Sequence, residues 1–496
     1  MYLLGLDIGS SSIKATIVDA ESGEGKASCF YPEKEMPISA PQAGFAEQDP
    51  EMWWEYTCRV LKEVIRKAEI SEKDIKAIGI SYQMHGLVMV DKNKEIIRPS
   101  IIWCDSRAAG IGDKAFRQIG EKECLSRLLN SPGNFTASKL KWVKDKQPEI
   151  YERIYKIMLP GDYIAMKLTG EIRTTASGLS EGIMWDFRKH SIAGFLLDHF
   201  GFDQSIIPDL APGFGDHGSL SRKASEETGL AIDTPVTYRA GDQPNNAFSL
   251  KVLDPGEIAA VAGTSGVVYG VSDEIRYDPE SRINTFAHVN HTAENTRLGV
   301  LLCINGSGIL NAWIRSNMAG EVDYEAINRD ASPVNTGSDG LVILPFGNGA
   351  ERMLGNISHG AKICKLDFNI HSKKHIYRAA HEGIAFAFRY GLDIMKDLGI
   401  KPGIIRAGYG NMFLSPVFRE TLSNISGARI ELYNTDGSRG AARAAGIGAG
   451  IYQNFDEAFM GLSIVKEIIP DPSMQDEYEY AYHNWLVELN RYLNNN

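Results

Sequence analysis

Asp7 closes an apolar run, Tyr2-Leu-Leu-Gly-Leu-Asp7, and is followed by Ile8-Gly9-Ser10-Ser11-Ser12-Ile13-Lys14. A carboxylate at a strand tip, beside a turn of glycine and serines, can hold Mg2+, usually through water. Gly9 permits close backbone approach, Ser10, Ser11 and Ser12 offer hydroxyl and N–H donors, and Lys14 adds a positive charge. A related turn recurs near the middle of the chain, Gly263-Thr264-Ser265-Gly266, after Glu257-Ile-Ala-Ala-Val-Ala262 and without an acid. Its N–H groups suit the β- and γ-phosphates of a nucleotide. Two such turns, one with a carboxylate, fit the two sides of a nucleoside triphosphate and its metal. Taken singly, each also reads as an ordinary hairpin turn, with Asp7 as a surface acid.

Asp242 is the candidate for proton chemistry. It sits in Gly241-Asp242-Gln243-Pro244-Asn245-Asn246, after a short strand at Thr237–Ala240. In α/β sheets ligands gather at the carboxyl ends of strands. Transfer of a phosphoryl group to a hydroxyl needs that oxygen held in line and a group to accept its proton. One carboxylate does both through a single short hydrogen bond. Asp242 also fits a helix N-cap, and the two roles are compatible because a helix N-terminus favours nearby anions. His85, in Gln83-Met84-His85-Gly86, can exchange hydrogen bonds with a hydroxyl, or be a packed core histidine. Trp103-Cys-Asp105-Ser-Arg107 places an aromatic face next to charged donors and acceptors, a combination suited to a polyol.

Other chemistries lack their residues. There is no Gly-x-x-x-x-Gly-Lys-Ser/Thr phosphate loop, no Gly-x-Ser-x-Gly elbow and no His/Cys/Asp group at zinc spacing. His288 and His291 lie three apart with no partner cluster, and the core reading is preferred. The six cysteines form no Cys-x-x-Cys pair and read as reduced, mostly buried thiols. The net charge of −11 argues against nucleic-acid binding and gives an anionic nucleotide no help from the overall field. No apolar run approaches the roughly 18 residues of a membrane span. The first strand begins at residue 2, which leaves no room for a signal peptide. A cytoplasmic protein, with no membrane partner, is expected.

These residues need elements to hold them. A hairpin is expected over the first 20 or so residues, then a helix capped by Asp49 with Pro50 at its first position and running to about Ala68. Strands follow at 75–81, 87–91, 101–103 and 237–240, with 110–225 mostly helical. The second half restarts with strands at 258–271, 300–304, 341–344 and 404–407, a long helix at 375–398, and a helix of small residues after Asp436. The 496 residues suit two domains. They are expected at 1–245, carrying the sugar site and the base, and at 246–496, carrying the nucleotide site, with a helical C-terminal segment from about 455. Strands and helices alternate in both, giving an α/β fold with two similar sheets.

Seven ordered motifs resemble the FGGY carbohydrate kinases of the actin-like (ribonuclease H-like) ATPase superfamily. They are Asp7-Ile-Gly-Ser-Ser-Ser-Ile-Lys14, Glu47-Gln-Asp-Pro50 before Trp53-Trp54, Gln83-Met-His-Gly86, Trp103-Cys-Asp-Ser-Arg107, Gly241-Asp242, Gly263-Thr-Ser-Gly266 and Gly440-Ala-Ala-Arg443. The resemblance covers nearly the whole chain. It implies two actin-like domains related by duplication around a cleft, with ATP, Mg2+ and a ketose as ligands. It places the catalytic base at Asp242 and the metal at Asp7, and puts Met84, His85, Gly86, Trp103, Asp105 and Gln243 on the sugar. Gly9 to Ser12, Lys14, Gly263, Thr264, Ser265 and Gly306 would surround the phosphates. Gly408-Tyr-Gly410-Asn411-Met-Phe-Leu-Ser415 resembles the adenine-side loop, with Asn411 or Ser415 reaching the base. Met84-His85-Gly86 points to members acting on D-xylulose at its 5-hydroxyl. Gln243-Pro244 stands where those members usually show Asn-Ala, so L-xylulose, L-ribulose or another polyol is the alternative acceptor. A non-catalytic sugar sensor on the same fold is the remaining one. Similar kinases include homodimers, but no interface signature stands out here.

Overall fold

The computed structural model describes residues 1–320 and 322–494. Residues 495 and 496, at the end of the expected second domain, lie outside the described residues. The first sheet contains β1 (Tyr2–Ile8), β2 (Ile13–Asp19), β3 (Gly25–Tyr31), β4 (Ile75–Tyr82) and β5 (Val236–Gly241), in the order β5-β4-β1-β2-β3. Strands β1 to β3 form an antiparallel meander, and β4 and β5 run parallel to β1. The second sheet contains β6 (Ile258–Ala262), β7 (Gly266–Ser272), β8 (Asn284–Ala287), β9 (Leu298–Ile304), β10 (Ile404–Gly408), β11 (Arg429–Tyr433) and β12 (Ile464–Ile468). Its order is β8-β9-β7-β6-β10-β11-β12. The inner five strands, β9-β7-β6-β10-β11, repeat the order and directions of the first sheet. The expected duplication is therefore present in the topology.

Helix α1 (Pro50–Ala68) starts as its sequence dictates. Asp49 accepts from Glu51 N at 3.0 Å, Pro50 takes the first position, and Trp53, Leu61 and Val64 are buried in the core of the first sheet. Helices α2 (Asp242–Ser249), α3 (Gly308–Asn317), α4 (Lys373–Asp397), α5 (Pro416–Ser426), α6 (Gly437–Gly448) and α7 (Gln475–Asn494) follow. The arrangement of α2 and α6 joins the halves. Helix α6 leaves the second sheet yet packs on β1, β4 and β5 of the first, while α2 leaves the first sheet and packs on the hairpin of the second. The small residues of α6 are needed for this. A Cβ on Gly5 would lie 1.8 Å from Ser438 O, one on Gly79 2.0 Å from Ala441 O, and one on Gly440 2.6 Å from Ser249 Cβ.

The structure corrects several expectations. Residues 110–225 carry more helix than any other structure, as expected, but short strands at Lys156–Met158, Arg173–Thr175, Trp185–Asp186, Ser191–Ile192 and Asp209–Ala211 interrupt the helices. Strands of two or three residues are too short to show an alternating pattern. The segment from about 455 is not purely helical, since β12 separates its helices. Strand β3 was missed because its largely exposed edge carries little apolar alternation.

Candidate active site

Asp7 is the penultimate residue of β1, which there pairs with β2 opposite Lys14 and with β4 beside Ser81. Ser81 Oγ donates to Asp7 Oδ1 at 2.9 Å. Lys14 reaches a third acid, Asp436, at 2.8 Å. Asp436 caps α6, accepting from Arg439 N at 3.1 Å and from Ser438 Oγ at 2.7 Å. Sequence reasoning treated Asp436 only as the start of a helix. Its place after β11, matching that of Asp242 after β5, is the signal that could have found it. Gly437 lets α6 come in at this point, for a Cβ there would lie 2.7 Å from Asp7 Oδ2.

Electrostatics separates the three acids. Burial, and then the charge of Asp436, raises the Asp7 pKa above the ordinary carboxylate value, against the Ser81 bond and Lys14. Asp436 is also penalised by burial, but Lys14 and Ser438 outweigh that and hold it low. Asp242 begins α2, after Gly241. Burial and then the charge of Asp7 push it up to about 7, opposed by bonds from Gln243. A general base works best with a pKa near the working pH.

Asp7, Gly9 to Ser12, Lys14, Gln83, Trp103 and Asp242 line one cavity of about 360 Å³. Trp103 is half exposed and its Nε1 donates to Ser10 Oγ at 3.2 Å, so it stands over the first turn. A second cavity of about 250 Å³ is lined by Gly408, Gly410, Asn411, Asp436 and Gly437 among others. The two adjoin where Gly437 abuts Asp7. Thr264 is exposed, and the turn from Gly263 to Ser265 is anchored to α3 by Gly308 N to Gly263 O, 2.9 Å, and Ile309 N to Thr264 O, 3.1 Å. A Cβ on Gly263 would stand 3.7 Å from Asn411 Nδ2, so the phosphate turn and the 408–411 loop are neighbours.

His85 has φ 61°, a left-handed conformation that costs a non-glycine residue about 1–3 kcal/mol. Its Nδ1 lies 2.9 Å from the Glu181 carbonyl. A carbonyl only accepts, so Nδ1 carries the proton and Nε2 is left as an acceptor. Burial, then the charge of Lys139, lowers its pKa to about 3, so the ring is neutral. Lys139, absent from the sequence reading, is fully buried and donates to His85 O and Ile102 O, both at 2.9 Å. It ties the His85 loop to the Trp103 loop. Met84 is buried against Gly241, and Gly86 is needed because a Cβ there would lie 2.7 Å from Pro160 Cγ.

Three expected contacts are corrected. Asp105 is fully buried and engaged by Ala46 N at 2.6 Å and by Arg107 through Nε and Nη2, so it braces the loop instead of meeting a sugar. Gly306 gives its N–H to Glu351 Oε1 at 2.8 Å and packs on Pro345, where a Cβ would lie 1.9 Å from the carbonyl; its N–H is not available to a phosphate. Ser415 is buried, caps α5 through Phe418 N at 3.3 Å and meets His381 Nδ1 at 3.1 Å, away from the cavity that Asn411 lines. His288 is a core histidine, held by Tyr269 and the Val252 carbonyl.

The donor set fits Mg2+. That ion commonly takes one or two carboxylates together with phosphates and water. Asp7 on the cavity wall meets this need, and its repulsion by Asp436 is of the kind a cation relieves. Among the described residues no group of three or more His, Cys, Asp or Glu forms an all-protein cage. Among them, too, no helix is long and apolar enough to cross a membrane.

Comparison with known proteins bears on the family and the fold. The N-terminal domain of the FGGY family of carbohydrate kinases matches residues 2–249, and its C-terminal domain matches residues 258–449. A xylulose kinase of Escherichia coli (strain K12) is 29% identical over 97% of this chain and 96% of its own. An L-xylulose/3-keto-L-gulonate kinase of the same organism is 28% identical over 98% and 96%. The crystal structure of xylulose kinase from Rhodospirillum rubrum superposes with a TM-score of 0.88 at 25% identity, covering 100% of both chains. With both of its halves matched and the fold shared from end to end, the chain belongs to the FGGY family of carbohydrate kinases.

Proposed function

We propose that this kinase transfers the γ-phosphoryl group of ATP to the 5-hydroxyl of D-xylulose, with Asp242 as general base and Mg2+ held at Asp7. The observation that carries the proposal is Asp242, which combines a strand end, a helix N-terminus, a shared cavity with Asp7, and a pKa near 7. In the step, the sugar oxygen forms a bond to the γ-phosphorus as the bond to the bridging oxygen breaks. The hydroxyl proton passes to Asp242 and ADP leaves. Mg2+, when bound, neutralises charge on the phosphates. Lys14 and the turn at Ser10 to Ser12 orient the phosphates from one side, and Gly263 to Ser265 from the other. His85 Nε2 accepts from a sugar hydroxyl, and Trp103 lies over the cavity mouth. The xylulose kinases named above support the choice of sugar.

L-Xylulose is the second reading, favoured by the similarity to the L-xylulose/3-keto-L-gulonate kinase and by Gln243 beside the base. One inverted centre changes only a few hydrogen bonds. A panel of D-xylulose, L-xylulose, L-ribulose and D-ribulose in a coupled ADP assay separates these readings. The highest kcat/KM should belong to D-xylulose; a higher value for another sugar rejects the first reading.

A further inference from the structure

Glu47 and Gln48, just before α1, pair antiparallel with Ser100–Ile101 beside the first turn. Glu47 Oε1 accepts from Arg107 Nη1 at 2.7 Å and so braces the loop that carries Trp103. Gln48 is buried and supports the turn itself, its Nε2 donating to Ser10 O at 2.8 Å and to Pro37 O at 3.4 Å. The other end of the amide, Gln48 Oε1, accepts from Trp53 Nε1 at 3.1 Å. An indole N–H only donates and a carbonyl only accepts, so both ends of the Gln48 amide are fixed in the same sense.

That orientation passes to Gln83. Gln83 stands just past the end of β4, its N–H donating to Ile8 O at 2.8 Å, and it lines the cavity shared by Asp7 and Asp242. Its Nε2 donates to Gln48 Oε1 at 3.4 Å. With the nitrogen tied back on Gln48, Oε1 is the free end of the side chain. The side chain is 2% exposed, and Oε1 has no hydrogen-bond partner among the described residues. A buried acceptor left unpaired is costly, and a bound donor relieves that cost. The ionised Asp242 carboxylate, in the same cavity, is also an acceptor only. A molecule that satisfies both must bring two O–H donors. A polyol brings them, whereas the phosphates of a nucleotide offer only acceptors.

We propose that Gln83 is a specificity-determining residue: its Oε1 accepts from a sugar hydroxyl other than the one phosphorylated, and Gln48, held by Trp53, sets the direction of its amide. The inference deepens the kinase reading and rests on it for the place of the sugar. A site built to hydrogen-bond a hydroxyl rejects the analogue that lacks it, because the buried oxygen is then left unpaired.

The test uses whichever sugar of the ketose panel binds tightest, so the choice of D-xylulose does not decide it, together with the monodeoxy analogues of that sugar. Dissociation constants are measured by calorimetry without nucleotide or Mg2+. Gln83→Met keeps the length of the side chain and removes the acceptor. It should weaken the parent sugar about tenfold and leave one deoxy analogue unchanged, the signature of a direct contact in a double-mutant cycle. The wild type should bind that same analogue about tenfold more weakly than the parent sugar. The KM for ATP in Gln83→Met should stay within about twofold, and Gln48→Met should lose part of the same discrimination. If the wild type binds every analogue as tightly as the parent sugar, the proposal fails without any variant. Equal weakening of the sugar and all analogues by Gln83→Met would show a merely structural role and overturn it. Unchanged sugar binding by Gln83→Met overturns it too, and a shifted Mg2+ titration of turnover would then put Oε1 on metal-bound water. Discrimination left intact in Gln48→Met overturns the role given to Gln48. Hydroxyl-specific binding without turnover of any sugar would instead reject the kinase reading and leave this one standing.

Discussion

At Asp242, burial and the charge of Asp7 act in the same direction, which sets the sign of the pH dependence. As the proposed base, Asp242 must be ionised to act, so kcat/KM for the sugar should fall as pH drops through about 7. A cation at Asp7 cancels part of that repulsion, so raising Mg2+ should move the limb to lower pH. A limb fixed at the ordinary carboxylate value at every Mg2+ concentration would contradict the assignment. His85 should add no limb near its usual titration range, because its ring is already neutral. His85→Phe removes the acceptor nitrogen and should raise the ketose KM about tenfold, the loss of one hydrogen bond, with the ATP KM unchanged. That Asp7, Asp242, Lys14 and the first turn share one cavity could be expected from sequence, because each stands at or beside the end of a strand. The engagement of Asp105, Gly306 and Ser415 could not, because partners remote in sequence decide whether such groups are available. Ala46, Glu351 and His381 occupy them. Lys139 was missed because nothing local marks a lysine as the tie between two loops.

Among the elements, α2 and α6 make the cleft a shared construction. Each begins with an acid at the end of one sheet, Asp242 at the first position of α2 and Asp436 at the cap of α6, and each packs on the opposite sheet. Movement of either helix therefore shifts an acid of the site. Gly79→Val should be a severe change, since the first added carbon would already lie 2.0 Å from Ala441 O. Overpacking of this kind costs about 1–3 kcal/mol or more. The melting temperature should fall by several degrees, and the KM values for sugar and ATP should rise together because α6 carries Asp436. An unchanged melting temperature would show that α6 does not pack as described. The strongly patterned elements, such as β1, β2, α1 and α4, were legible from sequence. The exposed edges β3 and β12 and the two- and three-residue strands within 110–225 were not, because their pairing depends on neighbours and not on their own periodicity.

For the whole molecule, the repeated five-strand order shows a duplicated fold whose two copies have diverged in chemistry. The first turn keeps Asp7, and the second, from Gly263 to Gly266, has no acid. The net charge of −11 opposes an anionic nucleotide, so phosphate affinity must come from local groups, for which Lys14, backbone N–H groups and the proposed metal at Asp7 are the candidates. Closing the two domains over both substrates would exclude water that competes with the sugar as acceptor. The proposed transfer of the hydroxyl proton to the Asp242 carboxylate is measured most directly by the kinetics of Asp242→Asn with D-xylulose and ATP. The amide keeps the size and hydrogen-bonding reach of the acid but cannot take the proton, so sugar affinity should change little while kcat falls about 10²–10⁴-fold. Turnover near the wild-type rate would contradict the central claim.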